Sequence, residues 1–84
     1  MWGLGMNVAF EKEVGAKIRE LREQCGLTQE QVSAQLQIRG CDITRSALAK
    51  IEVGQRHIYL DELKLLKEIL NTDYSTLLDI SRNS

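Results

Sequence analysis

Eighty-four residues make one small domain, long enough for a modest core, with nothing that points to a second unit. Apolar residues at 43% and charged residues at 27% exclude a disordered or fibrous chain. A net charge of −1 and a pI of about 5.8 argue, taken alone, against a polyanionic partner.

The absence of proline and the small number of glycines remove the strongest breakers, and no run alternates apolar and polar residues as a strand requires. An all-α fold is expected, a compact bundle of five short helices. Residues 1–7 read as an N-terminal extension that can remain disordered, and residues 8–84 as a single domain. The opening MWGLGMNVAF lacks a basic leader and no 18-residue apolar run exists, so a cytoplasmic protein with no membrane association is expected.

The first helix should run from Val8 or Phe10 to Gln24. Phe10, Val14, Ile18, Leu21 and Cys25 recur at helical spacing as one buried stripe, and Gly26 stands where a C-cap glycine belongs. Thr28 with Gln31 forms a capping-box pattern that opens a second helix, with Val32 and Leu36 inward. That helix should end between Gln37 and Gly40, or extend a turn through Ile38 and Arg39 to cap at Gly40. Thr44 is the cap of a third helix with Ala47, Leu48 and Ile51 on its apolar side and Arg45, Ser46 and Lys50 on its polar side, stopping at Gly54. After the loop GQRHIYL, the neighbourhood of Asp61 opens a fourth helix carrying Leu63, Leu66 and Leu70. Asn71 suits its end, and Asp73 caps a fifth helix whose apolar contacts come from Leu77, Leu78 and Ile80.

Two cysteines and one histidine do not make a zinc set, so no metal and no other cofactor is expected. Cys25 reads as a small core residue and Cys41 as a loop thiol. No group of residues has catalytic spacing, which excludes an enzyme. The charge is unevenly spread: residues 39–57 carry a local +2 and residues 58–84 a local −2. One basic face on an acidic body still suits a polyanion.

Read together, IRELREQCGLTQEQVSAQL, ITRSALAKIEVGQR and LDELKLLKEILNTDYSTLLD resemble the helix-turn-helix domain of the phage-repressor (Cro/repressor, XRE-type) family. The likeness spans residues 14–79 and rests on Gly26 to Gln29, Thr44 to Ser46 and Ile51 to Gly54, in family order and spacing. It implies a lambda-repressor-like fold and a transcriptional regulator, of repressor type, that reads operator DNA with its third helix in the major groove. Residue by residue, it implies a phosphate contact at Gln29 and groove-facing positions at Arg45, Ser46 and Lys50. Arg56 and His57 would hold the backbone, and Thr44 would be a cap whose hydroxyl can also reach a phosphate. Arg22 and Glu52 match a structural pair that holds the third helix.

The connection QIRGCD is several residues longer than the family's usual turn. It reads as a spacer, and the alternative is that Arg39 adds a phosphate contact at the rim of the site. Double-stranded DNA is the expected partner, bound as a homodimer, with no small-molecule effector. The alternative is a protein-interaction module, antitoxin-like or adaptor, that keeps the fold without binding DNA. The acidic pI and the apolar Leu65, Ile69, Tyr74, Leu77 and Leu78 motivate it.

Overall fold

The computed structural model describes the backbone of residues 3–78 and the side chains of residues 9–78. Five helices follow one another: α1 (Gly3–Gln24), α2 (Gln29–Ile38), α3 (Arg45–Glu52), α4 (Leu60–Ile69) and α5 (Tyr74–Leu78). No strand occurs among the described residues, and the fold is the all-α bundle that the proline-free sequence implies.

One helix start differs from the sequence reading, and that of α4 falls in the expected neighbourhood of Asp61. Helix α1 is 22 residues long rather than short, and begins at Gly3 instead of Val8 or Phe10. Gly3 and Gly5 each cost about 1 kcal/mol relative to alanine, but a helix already nucleated extends through them because each added residue gains a backbone hydrogen bond. Residues 1 and 2 of the expected extension lie outside the described residues. Helix α4 opens at Leu60, with Tyr59 as its N-cap: the Tyr59 amide donates to Glu62 Oε1 at 3.1 Å, so the third residue of the helix supplies the capping acceptor.

The other ends follow local chemistry. Thr28 and Gln31 form the reciprocal capping box, Thr44 Oγ1 accepts from the Ala47 amide, and Asp73 accepts from the Thr76 amide. Four helices stop with the same Schellman pattern. At the end of α1, for example, Leu27 donates to the Arg22 carbonyl and Gly26 to that of Glu23. The left-handed residue this needs is Gly26, Gly40, Gly54 and, in α4, Asn71 with φ 53°.

The core takes Val14 and Ile18 from α1, Val32 and Leu36 from α2, Ile43 from the connection, Leu48 and Ile51 from α3, and Leu63, Leu66, Leu70 and Leu77 from α4 and beyond. Each fully buried aliphatic side chain contributes about 1.5–3 kcal/mol. The α1 stripe is shorter than its spacing implied: Phe10 is 43% exposed and Cys25 lies on the surface, because α1 stops at Gln24 and the turn carries Cys25 outward. Cys25 is thus not the core residue expected, and Cys41, in the connecting loop as expected, is partly buried. Cys41, turned inward by its amide bond to the Leu36 carbonyl, packs against the core, and burial pushes its thiol up. Ile80, expected beside Leu77, lies outside the described residues.

Helix α1 packs chiefly on α3. At Gly15 the approach is so close that a Cβ would stand 2.1 Å from the Ile51 carbonyl oxygen, a backbone atom no rotamer can move aside. Gly15→Ala should therefore push the helices apart, lowering stability by about 2 kcal/mol and the thermal midpoint by about 10 °C in a circular-dichroism melt.

Candidate nucleic-acid interface

The connection between α2 and α3 is a folded turn. Arg39 is the C-cap of α2, Gly40 takes the left-handed conformation with φ 83°, and the Cys41 amide closes back on Leu36 at 2.9 Å. Ile43, fully buried, then anchors the chain immediately before the Thr44 cap. The extra residues of QIRGCD thus lengthen α2 and cap it, and α3 keeps one buried side made of Leu48, Ile51 and Glu52.

Glu52 is the hub. Its side chain is 1% exposed and its carboxylate receives three N–H donors: Arg22 Nε at 2.7 Å, Arg22 Nη2 at 3.0 Å and Gln29 Nε2 at 3.0 Å. Arg22 also donates through Nη1 to the Leu27 carbonyl at 2.9 Å. One ion pair thereby ties the end of α1, the start of α2 and the end of α3 together. The hydrogen bonds to Glu52 raise the Arg22 pKa above its ordinary value.

Opposite the buried side, Arg45, Ser46 and Lys50 are exposed. Ser46 and Lys50 stand one turn apart on the same face. Arg45 lines a groove with Thr28, Gln29 and Glu30 at the start of α2 and Arg19 on α1. Arg19 escaped the sequence reading. The available signal was its spacing three residues before Arg22, which puts both on one face of α1.

The helix-turn-helix family of Cro/repressor (XRE) type matches residues 18–77. The chain belongs to that family. No curated protein and no solved structure gives a significant match. The family is one of DNA-binding transcription regulators and not normally of enzymes. No helix among the described residues is long and apolar enough to cross a membrane.

Within this helix-turn-helix domain the remaining candidate residues are differently placed. Gln29 spends its side-chain amide on Glu52, and Thr28 Oγ1 takes the Gln31 amide, so of the first-turn amides of α2 those of Gln29 and Glu30 are left without a helical acceptor. Arg39 folds back to the Gln35 carbonyl and side chain at 3.1 and 2.6 Å. Arg56 is held by both oxygens of Glu62, at 2.9 and 3.1 Å, and lies over the Tyr59 ring. His57 Nδ1 is 2.7 Å from Glu11 Oε1 and is 73% exposed. Arg56 and His57 line a separate depression with Gly54, Gln55 and Glu11, so the structure does not bring them into the groove beside Arg45.

The Glu62 carboxyl shows the balance of its site. Burial would raise its pKa, but the Arg56 hydrogen bonds, the Tyr59 amide and the Arg56 charge outweigh burial and hold it below its ordinary value of 4.5. A depressed carboxyl stabilises the fold above its unfolded pKa, and that stability is lost as pH falls through the lower folded value. Urea unfolding should accordingly show a midpoint that falls below about pH 4.5 in the parent and falls less steeply in Glu62→Gln. Arg22→Ala leaves the buried Glu52 carboxylate facing only Gln29, and should cost about 3 kcal/mol in the same assay.

Proposed function

We propose that this protein is a sequence-specific transcriptional regulator of repressor type that binds operator DNA with α3 in the major groove. The observation that carries the reading is the division of α3. Leu48, Ile51 and Glu52 are buried in the domain, while Arg45 and Ser46 at its amino-terminal end and Lys50 in its last turn are exposed, with no carboxylate partner among the described residues. In the complex Arg45 donates to guanine N7 and O6, and Ser46 and Lys50 read neighbouring positions. The Gln29 and Glu30 amides at the start of α2, helped by the helix dipole there, receive a phosphate, and Thr44 stands at the matching end of α3. Arg39 reaches a phosphate at the rim by exchanging its bonds to Gln35. Arg56 and His57 serve the backbone less strongly, because Arg56 carries its own counter-ion in Glu62.

One α3 presents few base contacts, so binding as a homodimer to two half-sites about one helical turn apart supplies the rest of the specificity. A second reading, a protein-interaction module, keeps only part of the surface the sequence pointed to. Leu77 is buried and Leu65, Ile69 and Leu78 pack on the core, which leaves Tyr74 as the exposed member of that group, while Leu60 at 84%, Ile38 at 77%, Tyr59 at 63%, Val53 and Phe10 are exposed elsewhere among the described residues.

Selection from random duplexes, with molecular mass measured on the same sample, separates the two readings. The regulator reading expects an enriched, near-palindromic sequence and a dimer mass on DNA. Arg45→Ala should lose about tenfold or more for the enriched site, and Lys50→Ala a similar or smaller amount, both variants keeping the parent thermal midpoint. Where either side chain contacts a phosphate instead, the log–log salt slope falls by about 0.9. Absence of any enriched sequence, with binding indifferent to salt and to both substitutions, would favour the protein-interaction module.

A further inference from the structure

Ser33 is an odd residue for its position. It lies in the middle of α2, where serine has poor helix propensity and its hydroxyl ordinarily returns to its own helix or points to solvent. Here it is 5% exposed, and Oγ crosses to another segment, donating to the Ile43 carbonyl at 2.6 Å. Gln37, one turn further along the same face, directs Nε2 to the same carbonyl and to Ser33 Oγ, each at 3.4 Å. That carbonyl belongs to the peptide joining Ile43 to Thr44, the bond from which α3 departs. The residues around it, Asp42, Thr44 and Arg45, are all exposed, so the turn is held from within by the Ile43 side chain, the partly buried Cys41 and the Cys41 amide on the Leu36 carbonyl.

We propose that Ser33, seconded by Gln37, is a positioning residue for DNA readout, latching the Ile43 carbonyl and so fixing the orientation in which Thr44, Arg45 and Ser46 are presented. The inference rests on the reading of α3 as the recognition helix. Its physical basis is that a buried apolar side chain fixes the place of Ile43 but leaves the rotation of its peptide plane soft, and a hydrogen bond to the carbonyl removes that rotation. Base-edge recognition tolerates errors of only about 0.5 Å, whereas phosphate attraction tolerates far more. The latch therefore acts on specificity and leaves general DNA affinity alone. It also gives the long connection a purpose, since a turn of this length with no latch would present α3 loosely.

The test uses the full chain, the best duplex from the selection above and a shuffled duplex of the same composition. Ser33→Ala should lose about tenfold on the selected duplex while its affinity and salt slope on the shuffled duplex stay at parent values. Gln37→Ala, at an exposed position that leaves the core untouched, should give a smaller loss in the same direction. Without DNA, amide exchange of Ala47, whose N–H is held by the Thr44 cap, should quicken in Ser33→Ala while that of Leu66 in α4 does not. Equal losses on both duplexes, or no loss in either variant, would overturn the proposal, as would unchanged Ala47 exchange. If the parent enriches no sequence, the regulator reading fails, and the exchange experiment still decides whether the latch orients α3.

Discussion

A carboxylate that is almost wholly withdrawn from water needs its charge matched and its lone pairs filled, and the placement of α3 follows from how Glu52 meets that need. Arg22 supplies two donors and the countercharge from the end of α1, and Gln29 a third donor from the start of α2. Because the same guanidinium also holds the Leu27 carbonyl, the turn between α1 and α2 is fixed by the group that fixes α3. Three helix ends are thereby referred to one point. Gly15 lets α1 come close enough for the pair to form, by presenting no Cβ to the Ile51 carbonyl.

With the carboxyl-terminal end of α3 held in this way, its amino-terminal end depends on Thr44, Ile43 and the latch from Ser33. The two ends are held by different means: an ion pair on one side, a side-chain-to-carbonyl bond and an apolar anchor on the other. The exposed side between them carries Arg45, Ser46 and Lys50. Under the proposed function, a rigid support beneath cations that have no carboxylate to leave among the described residues favours specificity, since side chains that must first leave carboxylates or search for position lose specificity before affinity.

Electrostatics sharpen the contrast among the basic residues. Arg56 and Arg45 look equivalent as letters in a basic segment, yet Arg56 shares a two-point bond with Glu62 and holds the loop before α4, while Arg45 has no acidic partner among the described residues. The local +2 of residues 39–57 is therefore concentrated on fewer side chains than the sequence shows, because part of it is matched from α4.

The sequence by itself determined the fold class and nearly every helix end. Thr28, Thr44, Asp73, Gly26, Gly40, Gly54 and Asn71 could be read directly, because capping is settled within four or five residues of chain and depends on little else. Family motifs added the Arg22 and Glu52 positions and the expectation that α3 is the recognition helix. Only the tertiary structure decided that Cys25 is exposed with its thiol on the Leu70 carbonyl, that Cys41 packs partly on the core, that Gly15 is a contact point, and that Arg19 borders the groove. It also decided which polar side chains are spent: Gln29 on Glu52, Arg56 on Glu62 and Ser33 on Ile43. Such pairings depend on where separate segments meet, and no local pattern of residue types encodes that meeting.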